Sequence, residues 1–374
     1  MDQRKEERTA ESSGLFEVRH FPCPQCGAEL CYDPPKRALA CEYCGYAEEI
    51  GGAPAPKHGL AEGLERERGP VEREGQVSCP KCGADYTLEP LRESTRCPYC
   101  ETPAIRDPLN PLPPDGVLPF RIDEQEAHRL FARWIGSLWL APGELSRVVD
   151  TRKKLTGWYL PYWMFDADTE SRYRGERGDA YYVTVERVRV IDGRERLVRE
   201  QERRIRWTPV SGRVARRFEE WPVSAERKIP RHLLEQLAPW PSREAIGMEE
   251  KAICGFETRE YGIALPDGHA EARREMAARI RLDVLRDIGG DEQRIHGIDT
   301  RWSDERYNYL LLPVWSTAFR YKGKTYHYVV NGVTGVVRGE RPYSWWKIAG
   351  IVAAALGLLA VAAYWEQIRA WFGG

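Results

Sequence analysis

The sequence predicts a multidomain chain. It should comprise two small four-cysteine zinc ribbons, an α+β domain built on antiparallel sheet with two or more helices, and one C-terminal transmembrane helix. Three observations carry this expectation. Four CxxC pairs fall in the first hundred residues as two copies of one pattern. The middle of the chain alternates apolar and charged residues over long stretches, the period of strands. Near the C-terminus, Ile348 to Trp365 forms a run of 18 residues without a charge.

The cysteines come first in the chain. One copy is Cys23, Cys26, Cys41 and Cys44; the other is Cys79, Cys82, Cys97 and Cys100. Each copy holds 14 residues between its pairs, and every cysteine of the second lies 56 positions after its counterpart. Ala28 and Ala84, Asp33 and Glu89, Pro34 and Pro90, and Tyr43 and Tyr99 match at the same offset. Four thiolates suit a tetrahedral Zn²⁺, because a CxxC turn brings two sulfurs onto one ion and a second turn completes the shell. Two structural zinc ions are therefore expected, on all eight cysteines. Iron–sulfur ligation uses other spacings. Gly27, Gly45 and Gly83 follow three of the pairs and permit φ > 0, whereas Glu101 stands in the fourth and predicts a less relaxed turn. A shell closed by four protein ligands leaves no position for substrate, which points to folding and binding rather than catalysis. Disulfides would require an oxidising compartment, and the polar start MDQRKEERTA offers no signal peptide. Cys31 and Cys254 remain over as packed thiols.

The expected organisation follows composition. The first ribbon covers 18–50 and the second 76–105. Residues 51–75, rich in Gly, Pro and charge, form a flexible linker, and 106–116 form a stiffer proline-rich one. The α+β domain spans 117–343. Asp123 and Glu126 suggest a capping box for a helix carrying Ala127, Leu130, Phe131, Trp134, Ile135 and Leu138 on one face. The segment GWYLPYWMFDAD at 157–168 reads as a buried aromatic strand. A hairpin turning at Asp192–Gly193 follows, then a helix from about Ala270 to Ile288, then a meander turning at Lys322–Gly323 and Asn331–Gly332. The repeated Leu160-Pro161-Tyr162-Trp163 and Leu312-Pro313-Val314-Trp315 hint at a second duplication.

The apolar run places a transmembrane helix at 346–365 with a short tail at 366–374. Trp345, Trp346, Tyr364 and Trp365 would mark the two interfaces, and Arg338, Arg341 and Lys347 would hold the N-terminal bulk on the cytoplasmic side of an inner (plasma) membrane. Gly350/Ala354 and Ala353/Gly357 are small-residue pairs that would allow helix pairing and a homo-oligomer.

Charge and motifs narrow the function. The net charge of −1 excludes a strongly basic nucleic-acid binder in bulk. Gly323-Lys324-Thr325 lacks the upstream glycine of a phosphate-binding loop, the seven histidines are scattered, and Asp166, Asp168 and Glu170 read as a solvated turn. No catalytic residues are assigned and no enzyme is expected. The arginine-rich segment 187–206 could meet lipid headgroups or phosphates, but its interspersed Glu186, Glu195, Glu200 and Glu202 favour a solvated sheet face.

With its CPxCG-type knuckles, the LPYWMFDAD segment, the ending YKGKTYHYVVNGVTGVVRGERPYSWWK and the terminal apolar run, the chain resembles bacterial membrane-anchored TFIIB-type zinc-ribbon proteins. Some of these carry the name of primosomal protein N′, a helicase. No helicase motif stands in this sequence, so that name transfers no activity. The resemblance implies a membrane adaptor working beside stomatin-like (SPFH) or phage-shock-type membrane-stress proteins. The expected function is thus a non-catalytic, membrane-anchored zinc adaptor that recruits a cytoplasmic protein and touches membrane lipid. The alternative is a membrane-tethered nucleic-acid-binding zinc-ribbon protein.

Overall fold

Three strands dominate the fold, and apolar and charged side chains alternate along much of each. The computed structural model describes residues 15–16, 19–71, 75–79, 81–138, 155–191, 194–321, 324–341 and 344–372. Strand Thr156–Ile191 runs for 36 residues, Arg194–Ser224 for 31 and Glu292–Tyr321 for 30, where a strand is usually about 5–6 residues long. The first lies between the other two. It pairs antiparallel with Arg194–Ser224 from Tyr162 to Ile191, and with Glu292–Tyr321 from Thr156 to Gly178. Beyond Gly178 only the first two strands continue, so residues 179–191 and 194–206 form a two-stranded arm. The turns expected at Asp192–Gly193 and Lys322–Gly323 lie outside the described residues.

At the end of the long strand away from the arm the sheet is covered on both faces. Tyr159, Trp163 and Phe165 enter one core, and Leu160, Tyr162 and Met164 enter the other, each at most 2% exposed. Successive side chains of a strand point to opposite faces, so a strand buried on both sides reads as unbroken apolar sequence. Helix Leu265–Ile288 covers the first face through Ala272, Met276, Ile280, Val284 and Ile288. Gly268 brings it against the sheet, where a Cβ would stand 2.7 Å from the Trp163 ring. Leu233, Leu234 and Leu237 cover the second face. Helix Glu124–Ser137 starts at Asp123, whose carboxylate accepts the Glu126 N–H at 2.7 Å. Its Phe131 stacks on Tyr328 with ring centroids 3.5 Å apart. The two Leu-Pro motifs lie side by side, Leu160 opposite Leu312 and Pro161 opposite Leu311.

Both segments expected as linkers are packed against this body. His58–Gly59 pairs with Arg306 and Tyr307, and helix Leu60–Arg66 buries Leu60. In the proline-rich stretch Arg106, Asn110 and Leu112 are buried, and Gly116–Val117 pairs in parallel with Leu310–Leu311. Local composition reports the stiffness of a free chain, not the tertiary partners that can fix it. Likewise Asp166 is no solvated turn. It lies within the long strand and accepts from Lys57 Nζ and from the Glu220 N–H, both at 2.6 Å.

The C-terminal segment corrects the expected fold class. A helix runs Trp345–Phe372 and continues through the expected tail. Among the described residues, however, no helix is long and apolar enough to cross a membrane. The C-terminal helix carries Lys347 near its start and Glu366 and Arg369 near its end, with Gly350 and Gly357 between them. The expected transmembrane helix at 346–365 is therefore withdrawn, and the inner-membrane localisation inferred from it falls too.

Candidate metal centres

Each four-cysteine group is assembled by two identical turns. In the first group the Gly27 N–H donates to the Cys23 carbonyl at 2.9 Å and the Gly45 N–H to Cys41 at 3.1 Å. In the second, Gly83 donates to Cys79 and Glu101 to Cys97, both at 2.9 Å. Each turn closes with a left-handed residue: φ is 73° at Gly27, 79° at Gly45, 71° at Gly83 and 59° at Glu101. The fourth knuckle thus adopts the glycine conformation with a side chain that disfavours it, as the sequence suggested. The first cysteine of every pair is buried; Cys26, Cys44 and Cys82 are exposed and Cys100 is partly so.

The sulfurs converge. All four of Cys23, Cys26, Cys41 and Cys44 lie within 4.8 Å of one another, as do all four of Cys79, Cys82, Cys97 and Cys100. Sγ separations are 3.5 Å for Cys23–Cys44 and Cys26–Cys41, 3.6 Å for Cys79–Cys100 and 3.8 Å for Cys82–Cys97. A tetrahedron with metal–sulfur bonds of ~2.3 Å has edges of ~3.8 Å, whereas a disulfide is ~2.05 Å. These two groups could hold metal ions.

Their electrostatics call for a cation. The Cys44 backbone N–H brings the Cys41 thiol down to about 7. The Thr102 hydroxyl, 3.2 Å from Cys100 Sγ, brings that thiol down to about 6. Cys82 stands at about 12: the Ala84 N–H lowers it, but burial and the three neighbouring sulfurs outweigh that donor. Four thiolates in one cluster need a divalent ion to balance them.

The ribbons are not free modules. The first contains the sheet Cys31–Asp33, Ala38–Ala40 and Ala47–Glu49, and it docks through Tyr32. The Tyr32 hydroxyl donates to the Phe120 carbonyl at 3.0 Å, and its N–H to the Cys254 carbonyl at 3.1 Å. Lys251 pairs with Glu48. The second ribbon joins the main sheet outright, because strand Arg92–Arg96 pairs with Glu257–Arg259. The Ser94 hydroxyl donates to the Phe256 carbonyl at 2.7 Å. One stretch, 251–259, therefore seats both ribbons. This seat escaped the sequence, since its partners lie about 160–220 positions away and leave no local periodicity.

Cys31 and Cys254, expected as packed thiols, meet at that seat, where a Cβ on Gly255 would stand 3.4 Å from Cys31 Sγ. The arginine-rich arm is balanced by carboxylates. Arg187 pairs with Glu202 at 3.0 Å, Arg189 with Glu200 at 2.7 Å and Arg199 with Glu186 at 3.0 Å, all on exposed surface.

No family model matches the chain, and no solved structure matches it. It is 26% identical over 341 residues to the uncharacterized protein YdjG of Bacillus subtilis (strain 168), an alignment covering 90% of this chain and 94% of that protein.

Proposed function

We propose that this chain is a non-catalytic docking protein whose two zinc-folded ribbons present a paired surface to a protein partner. The observation that carries the proposal is the matched exposure of Tyr43, at 85%, and Tyr99, at 70%. Each occupies the same place in its CxxC knuckle, 56 positions apart. Exposed aromatics on rigid turns are the side chains that anchor protein interfaces. Zinc is the ion favoured by four thiolates in a closed tetrahedral shell. Nucleic-acid binding has less support: Lys36 pairs with Asp33 at 2.8 Å and Arg92 with Glu257 at 3.4 Å, so basic groups of the ribbons are already engaged. The sequence resemblance makes stomatin-like and phage-shock-type proteins the first partners to try.

The test is site-specific photo-crosslinking in cells with a benzophenone amino acid at position 43 or 99. Capture of one and the same protein from both positions, lost in Cys79→Ser/Cys82→Ser, is the expected result. Absence of a common adduct would sink the proposal. Elemental analysis of the purified chain should return two zinc ions per chain; iron in their place would refute the metal assignment.

A further inference from the structure

We propose that Cys31 and Cys254 form a peroxide-reactive thiol pair which, once oxidised, fastens the first ribbon to the body of the protein. Neither cysteine belongs to a metal cluster. Cys31 opens the strand Cys31–Asp33 of the first ribbon, and Cys254 follows the short helix Glu250–Ile253 of the body. They stand 223 positions apart, and the fold brings them together: the Tyr32 N–H donates to the Cys254 carbonyl at 3.1 Å, and a Cβ on Gly255 would stand 3.4 Å from Cys31 Sγ.

The two sulfurs have different surroundings. Cys31 is half-buried and lines an open cleft of about 480 Å³ shared with Glu42, Arg96 and Phe256, so a small oxidant can reach it. Arg96 holds its guanidinium over this sulfur: Nη2 lies 3.9 Å from Cys31 Sγ and is fixed by donating to the Gly255 carbonyl at 3.0 Å. Contact with Cys254, followed by the Arg96 charge, brings the Cys31 thiol down to about 7. A good part of it is thiolate at neutral pH, and the thiolate is the nucleophile. Cys254 is fully buried and donates to the Leu30 carbonyl at 3.2 Å. Its contact with Cys31, and then its burial, push its thiol upward, so it stays protonated. One sulfur is built to attack and its neighbour to resolve.

The chemistry balances with hydrogen peroxide as the oxidant. The Cys31 thiolate attacks one peroxide oxygen and the O–O bond breaks. The departing hydroxide takes up a proton and leaves as water, and Cys31 becomes a sulfenic acid. The Cys254 sulfur then attacks the sulfenyl sulfur. The S–O bond breaks, the oxygen leaves as a second water carrying the Cys254 proton, and the S–S bond forms. Two thiols lose two electrons, and one peroxide becomes two waters.

The experiment treats the purified, metal-loaded full chain with about one equivalent of hydrogen peroxide at neutral pH. Free thiols are then alkylated, and the non-reduced peptides are mapped by mass spectrometry while released metal is followed with a chromophoric chelator. The expected result is a Cys31–Cys254 disulfide with both metal ions retained. In Cys254→Ser, a dimedone-type probe should label Cys31. Metal release with oxidised cluster cysteines, while Cys31 and Cys254 stay alkylatable, would overturn the proposal. Failure of the probe to label Cys31 in the variant would overturn it as well. The mapping needs only the unaltered protein, so a folding defect in the variant does not shield the idea.

Discussion

Glu93 lies where the second ribbon joins the sheet, at 1% exposure. Burial first, and the neighbouring Glu260 carboxylate second, push its carboxyl up to about 8, with Arg106 working the other way. Arg106 is itself buried and pairs with Glu260 at 2.6 Å. The sign follows from linkage: a carboxyl whose folded value lies above its unfolded one leaves stability intact at low pH. It erodes stability as pH rises from the unfolded value of about 4.5 toward 8. Glu93→Gln should therefore stabilise the chain by roughly 2 kcal/mol more at pH 8.5 than at pH 6. Urea denaturation at the two pH values checks this, and an equal gain at both would show that Glu93 does not titrate in this range. Glu101 supplies a second prediction. Its φ of 59° holds a side chain where glycine is at ease, a strain of ~1 kcal/mol. Glu101→Gly should tighten zinc at the second cluster about fivefold in a chelator competition and leave the first cluster unchanged. The strained knuckle was legible because CPYCE departs from CPxCG within five letters. The buried carboxyl was not, because Glu93 gains its neighbours Arg106 and Glu260 only through folding.

The long hairpin was legible as an element, since apolar and charged residues alternate on both sides of Asp192–Gly193. Its length was not, because nothing in the alternation says where the third strand stops pairing. Along the arm, Glu186, Glu200 and Glu202 face arginines of the opposite strand. Exposed ion pairs contribute little singly, about 0.2–1 kcal/mol each. A two-stranded ribbon without a third strand nevertheless has few other sources of stability. Replacing all three glutamates by lysine should speed amide hydrogen exchange within residues 183–202 at least tenfold and leave the thermal midpoint of the whole chain unchanged. A drop in that midpoint would mean that the arm is part of the global folding unit. The C-terminal helix teaches a different lesson: hydropathy and flanking aromatics suggested a membrane span that the described helix does not provide.

At the scale of the whole molecule, cysteine spacing located both metal groups but not their attachment. Each cluster's four ligands are set by two local turns, so i, i+3 spacing suffices to find them. The 251–259 seat depends on partners from distant parts of the chain, among them Tyr32, Glu48 and Ser94. Composition therefore pictured ribbons on free linkers, whereas the second ribbon lends a strand to the main sheet. Metal loss should consequently be felt well beyond the ribbon. In Cys79→Ser/Cys82→Ser the thermal unfolding of the body is expected to begin at least 5 °C lower, as judged by tryptophan fluorescence. Trp163 reports on that body, because it is fully buried in its core. An unaltered tryptophan transition beside a lost ribbon would show that the two fold independently.

The two-stranded arm has a mechanical consequence. Residues 179–191 extend roughly 40 Å at ~3.3 Å per residue past the last pairing with the third strand. At that point Asp291 braces the root: its N–H donates to the Gly178 carbonyl at 2.9 Å and its carboxylate accepts the Ala180 N–H at 2.7 Å. The arm is a cantilever with its fulcrum at Gly178. A body pressing on the tip exerts a torque at the root, and the same long strand carries that load directly into the two cores it helps to build.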